Sequence, residues 1–174
     1  MDDPFGFDNA PTGDDLAWRE TYVVLFEAGD RPTLTQVEAA IGNAGPRLRM
    51  ERLKADDDGL FKSVLVQAPD DNAALDIRFE AGEAVSDRAM ALAKKLRDEL
   101  DEDQMGRLVL ADAWLEVMHF ERVAASPDGD DAEPEDDLLG PGGLDPATLI
   151  TVVEALAHLT GGLPIDPEAG EVLI

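Results

Sequence analysis

Carboxylates are the side chains of this sequence most able to do chemistry. Asp56-Asp57-Asp58-Gly59 resembles part of the calcium loop found between two helices. Placing Gly59 on that loop's invariant glycine puts Lys54 where the first aspartate belongs and Leu65 where the bidentate glutamate belongs. Both ends fail, so the four residues read as a solvated turn. A second acidic run extends from Asp128 to Asp137, but Ala132 and Glu133 follow Asp128 and Asp130, which breaks the ligand spacing there too. Paired carboxylates for acid–base hydrolysis arise by chance in a chain with 39 acids, so the pattern nominates no pair.

The other reactive types are sparse. His119 and His158 are the only histidines, and neither has a second ligand at metal spacing. His119 reads as a strand residue. His158 reads as the last turn of a helix, where a cation suits the dipole. Ser63, Ser86 and Ser126 are the serines, and none lies in a Gly-x-Ser-x-Gly elbow. Ser86 is expected to cap a helix, and the turn explains Thr160 beside Gly161. No phosphate loop of the Gly-x4-Gly-Lys type occurs. Gly140-Pro141-Gly142-Gly143 precedes a helix, but Pro141 lacks a backbone donor and the acids before it repel phosphate. No catalytic, cofactor-binding or metal residue is assigned from the sequence.

Composition narrows the classes further. The chain has 174 residues and a formal charge of −25. That length fits one domain at roughly 150 residues per domain. A chain this acidic has no basic surface to displace counterions from nucleic acid, and it is repelled by anionic membranes. With no cysteine, disulfides and thiolate chemistry are excluded. No leader-like or membrane-long apolar run occurs, so a cytoplasmic location is expected. Residues 1–20 carry −5 and residues 124–143 carry −7, both without apolar periodicity. They are expected to be an acidic flexible segment and an acidic mobile linker. The rest of the chain is acidic as well, as a salt-rich habitat would also favour.

The elements between are legible. Thr21–Ala28 is β-branched and aromatic, a buried strand. Thr33 and Gln36 start a helix with Leu34, Val37, Ile41 and Ala44 on one face, and Gly45-Pro46 ends it. Three strands follow: Arg47–Lys54, with a slip at Leu53 that marks a bulge, then Leu60–Gln67 and Ala73–Glu80. In the last, Leu75, Ile77 and Phe79 alternate with Asp76, Arg78 and Glu80. A helix over Asp87–Leu100 carries Met90, Ala93, Leu96 and Leu100, with Ala89 and Leu92 beside them. Residues 101–112 stay open: either Gly106 breaks the helix or Arg107–Ala111 continues it. Ala113–Val123 is apolar on both faces, a central strand. Asp145-Pro146 starts a last helix with Leu149, Val152, Val153, Leu156 and Leu159 on its face. A hairpin over Leu163–Ile174 ends the chain.

The expected fold is α+β: a ferredoxin-like core over 21–123, with a mostly antiparallel sheet and helices on one face. A helix-hairpin unit over 144–174 is expected to pack on it, because a five-residue apolar stripe is not stable in water. Val24, Phe26, Leu75, Ile77, Phe79, Leu115 and Val117 are expected to share one core. The closing run Leu159-Thr160-Gly161-Gly162 followed by Asp166-Pro167-Glu168-Ala169-Gly170 resembles the end of certain bacterial domains that have no assigned activity. That resemblance implies a bacterial cytoplasmic chain and names no catalytic residue. The function expected is a non-enzymatic protein-interaction or self-association domain, its partner being another protein or a second copy. An acidic inhibitor or immunity-type protein masking a basic partner is the first alternative, and a carboxylate-based enzyme the second.

Overall fold

The computed structural model describes residues 15–69, 73–123 and 147–173. β1 (Asp15–Phe26) begins six residues before the expected start, because it pairs with the full length of β5 (Ala113–Val123). A bulge between Trp18 and Glu20 lets the pairing continue, so residues 15–20 are strand rather than loose segment. A short 3-10 turn at Ala28–Asp30 leads to α1 (Leu34–Ala44). Thr33 Oγ1 accepts the Gln36 N–H at 3.1 Å and Gln36 Oε1 accepts the Thr33 N–H at 2.9 Å, the reciprocal cap expected. The expected linker over 124–143, the Asp145-Pro146 cap and the Asp70–Asn72 turn lie outside the described residues.

β2 (Arg49–Ala55), β3 (Phe61–Ala68) and β4 (Ala73–Ala81) follow as an antiparallel run. The slip read at Leu53 is a register shift between Glu51 and Lys54, where Arg52 takes φ 54°. β4 then pairs with β5, and β6 (Leu163–Asp166) and β7 (Glu171–Val172) extend the sheet beyond β1. The seven-stranded order is β2-β3-β4-β5-β1-β6-β7, with antiparallel neighbours throughout. Ferredoxin-like order interleaves two split β-α-β units. Here β4 and β5 are direct neighbours despite the helices between them, so that expectation is not met. The physical reason is β5. Apolar on both faces, it sits mid-sheet with a long partner on each edge.

The same property corrects the placement of the helices, which cover both faces. On one face Val24, Phe26, Leu75, Ile77, Leu115 and Val117 pack under Val37 and Ile41 of α1 and Leu149, Val152, Val153 and Leu156 of α4 (Ala147–Thr160). On the other, Val23, Leu25, Trp114, Leu163 and Ile165 pack under α2 (Glu83–Lys95) and α3 (Glu102–Leu110). The C-terminal helix thus docks on its own sheet.

α2 starts earlier than expected. Gly82, at φ 128°, turns the chain straight out of β4; its carbonyl accepts from Val85 and Ser86, and its N–H donates to the Asp112 carbonyl. Ser86 therefore lies inside the helix and does not cap it. The buried stripe is Val85, Ala89, Leu92, Ala93 and Leu96, and Met90 is 43% exposed. Residues 101–112 resolve as α3, with Gly106 inside it. Asp101 Oδ1 accepts the Gln104 N–H at 2.7 Å and Gln104 Oε1 accepts the Asp101 N–H at 3.0 Å.

The closing motif is structural. Thr160 Oγ1 donates to the Leu156 carbonyl and accepts the Gly162 N–H, while Gly161 takes φ 71°. At Gly162 a Cβ would come 2.7 Å from the Leu25 carbonyl oxygen, so only glycine lets the turn reach β1. Asp166 Oδ1 accepts the N–H groups of Glu168 and Ala169, and Gly170 closes that turn at φ 72°.

Phe79 departs from the expected core. It is only partly buried, at 6.1 Å from the Phe26 ring and under the Arg31 guanidinium at 4.0 Å. Ile77→Ala is expected to destabilise by about 2–5 kcal/mol, as deletion from a filled core does. Phe79→Ala is expected to fall short of that range. Urea midpoints of the two variants check this, and equal losses would place the edge of the core one residue pair further along β4.

Candidate functional site

Most residues singled out in the sequence have structural work. Asp56 Oδ1 accepts the N–H groups of Asp58 and Leu60, and its other oxygen pairs with Arg31 at 3.3 Å. The Leu60 hydrogen bond, first among several causes, holds its carboxyl below the ordinary range. The Asp56–Gly59 loop is therefore a hairpin turn with its carboxylate engaged. His119 is buried on β5, and its Nδ1 lies 2.9 Å from Glu20 Oε2 across the β1 bulge. Among the described residues no hydroxyl hydrogen-bonds to this pair, so a hydroxyl–imidazole–carboxylate relay is not assembled. Tyr22 on the next stretch of β1 has its phenol pushed up by burial first, then by Glu20, Asp166 and Glu171. His158 is exposed in the last turn of α4. Ser63 lies half-buried on β3, and Ser126 and Gly140–Gly143 lie outside the described residues. Among the described residues no group of three or more His, Asp or Glu side chains is placed to hold a metal ion. Among them, too, no helix is long and apolar enough to cross a membrane.

The arrangement that sequence reasoning missed is a cleft of about 490 Å³ between α2 and the sheet. It forms because α2 and α3 cover only part of their face. Leu25 and Trp114 are sealed beneath the helices, and further along the strands the cover ends. β1 supplies Thr21 and Val23, β5 supplies Trp114 and Glu116, and α2 supplies Arg88, Ala91, Leu92 and Lys95. Pro167 closes the side from the β6–β7 turn. Lys95 lies along that turn against Gly170, where a Cβ would come 3.2 Å from its Cε.

The polar groups of the cleft are unusual for so acidic a chain. The Arg88 guanidinium stands 5.5 Å from the Trp114 ring centre. Trp114 is 5% exposed, and among the described residues its buried Nε1–H has no acceptor. Such a buried donor without a partner calls for an explanation. Glu116 is the one carboxylate of the lining among the described residues. Burial first, and Glu80 second, push its pKa up, while Arg78 and Arg88 act against them. The signal for this cleft in the sequence was only Arg88 and Lys95 seven residues apart on one helix, which by itself marks an ordinary solvated face.

Next to the cleft lies an aromatic step. Trp18 is paired with Phe120 in the sheet and is 49% exposed. Its Nε1–H donates to Thr21 Oγ1 at 2.8 Å, which fixes the indole beside the cleft mouth.

Comparison with protein-family profiles, with curated proteins and with solved structures finds no match for this chain.

Glu116 yields a pH prediction whose sign is fixed by its raised pKa. Below the ordinary value of 4.5 the carboxyl is protonated both folded and unfolded, and it has no effect. As pH rises through the window above 4.5, the unfolded chain ionises more readily, and the folded state loses stability relative to it. Glu116→Gln removes that penalty. The variant is expected to have the higher urea midpoint at pH 7, with the difference vanishing on acidification below 4.5. A variant less stable than wild type at pH 7 would show that Glu116 is held by favourable pairing instead.

Proposed function

We propose that this chain is a non-enzymatic protein-interaction domain that docks a partner protein on the sheet face around Trp18. The observation that carries the reading is Trp18 itself. It is a large aromatic side chain, half exposed, anchored by a hydrogen bond and beside half-buried Phe120 and Met118. Tryptophan is enriched among the few side chains that dominate protein interfaces, and an anchored ring loses little freedom on docking. The charge of −25 supports a partner with a basic surface, since long-range attraction speeds the encounter of opposite fields.

The inhibitor-type alternative is the same act of docking with a charged partner, and it draws support from the α2–α3 corner. There Asp98, Glu99, Asp101, Glu102 and Asp103 are all exposed. The enzyme alternative is less well supported: the cleft has a carboxyl with a raised pKa, but acid–base hydrolysis by paired carboxylates needs a second one in reach.

The test is a pull-down from the source lysate at low and high salt with wild type and Trp18→Ala side by side. A partner docking here is retained by wild type and lost from Trp18→Ala, an affinity drop of about tenfold or more. Retention should weaken as salt rises. Equal capture by both proteins would overturn this surface. Sedimentation of the same pair over a range of concentrations distinguishes a second copy from a different partner.

A further inference from the structure

The cleft between α2 and β5 carries an inference that goes beyond docking and holds whether or not Trp18 binds a partner. Acids outnumber bases 39 to 14 in this chain, so a cation has carboxylates to spare around it. Arg19, Arg31, Arg78 and Arg107 each hold one, at 2.9 to 3.3 Å. Arg88 and Lys95 do not, and neither do Arg49, Lys54, Lys62, Lys94 and Arg97: among the described residues none of these has a carboxylate within ion-pair distance. Arg88 and Lys95 are set apart by lining the same cleft, with the Trp114 ring beside them. Two cations against the single carboxylate of Glu116 leave the cleft a net positive charge, the complement of an anion. Apart from Thr21 and Glu116, the rest of the lining is apolar, with Val23, Ala91, Leu92 and Pro167. An inorganic ion has no use for that surface, whereas an organic acid does.

We propose that the cleft binds a small organic monocarboxylate with a short aliphatic body. Arg88 and Lys95 take the carboxylate, and the guanidinium holds it beside the Trp114 ring. Val23, Ala91, Leu92 and Pro167 cover the aliphatic body. Glu116 sets the charge limit. As the one acid in the lining it repels a second carboxylate, so a dicarboxylate of the same length binds less well. Thr21 joins the cleft to the aromatic step, since its hydroxyl oxygen already accepts from Trp18.

Trp114 is its own reporter. The chain has two tryptophans, so a 15N-labelled full-length sample gives two indole N–H signals, and Trp18→Phe identifies that of Trp114. The probes are hexanoate, hexanamide and adipate at matched ionic strength. Hexanoate is expected to shift the Trp114 signal saturably, with a midpoint on the order of 1 mM, as for a small ligand held by one charged contact. Hexanamide should give no saturable shift, and adipate a higher midpoint. Arg88→Gln should raise the hexanoate midpoint about tenfold or more, and Lys95→Gln should raise it less, because arginine grips a carboxylate through two donors. Both side chains are exposed, so the backbone spectrum of each variant reports directly that the fold is retained. No saturable shift with hexanoate, an equal response to hexanamide, or an unchanged midpoint in Arg88→Gln would overturn the site. Adipate binding as tightly as hexanoate would overturn the single-charge specificity.

Discussion

The fold is governed by two neighbouring strands that are apolar on both faces. β1 sends Val24 and Phe26 to one side and Val23 and Leu25 to the other, and β5 does the same with Leu115 and Val117 against Trp114. A strand of this kind is stable only where both faces are covered and both edges are paired. That condition places β5 fourth of seven, brings β4 and β1 against its edges, and calls helices to both surfaces. Each fully buried Val, Leu or Phe contributes roughly 1.5–3 kcal/mol, so the alternatives that leave one face wet are excluded by a wide margin. The C-terminal helix and hairpin follow from the same demand: α4 covers the first face, and β6 pairs with the edge of β1 that β5 leaves open.

Small polar contacts then lock the ends of the strands. The Arg31 guanidinium donates to the Phe61 carbonyl through Nε and Nη2, pairs with Asp56 and lies over Phe79. One side chain thereby ties the end of the 3-10 turn to β3, to the β2–β3 turn and to the rim of the core. Asp112 does the same for the neighbouring ends of β1, β4 and β5. Its carboxylate accepts the Ala28 N–H at 2.7 Å, its N–H donates to Phe26, and its carbonyl accepts from Gly82. These contacts hold the short links in which Gly82 alone joins β4 to α2, and Ala111 and Asp112 join α3 to β5.

The candidate cleft is a by-product of this layered packing. Four helices do not cover both faces of seven strands. α2 and α3 spend their apolar stripes on Leu25, Trp114, Leu163 and Ile165, and the sheet continues past them toward Trp18. Where the cover stops, the side of α2 and the sheet face form two walls, and the β6–β7 turn forms a third. Polar groups gather there because buried and solvated side chains meet at a boundary between covered and open sheet.

The sequence by itself determined the elements whose signals are local. The Thr33–Gln36 cap, the alternation of β4 through Ile77, the two-faced apolar pattern of β5, the bulge near Leu53 and the closing hairpin are each readable within about ten residues, because the interactions that stabilise them lie within that reach. It was less informative where a local signal competed with a distant one. Ser86 looked like a cap until Gly82 turned the chain, and Met90 looked like core until Val85 took the stripe; the α3 cap at Asp101 and Gln104 was legible and overlooked. The strand order, the covering of both faces and the cleft were decided only by tertiary structure. Thr21, Arg88, Lys95, Trp114 and Glu116 come from three separate elements, and Pro167 from the turn after β6. Nothing in their spacing joins them. What joins them is the burial of both faces of β1 and β5, a long-range demand that no short window of sequence expresses.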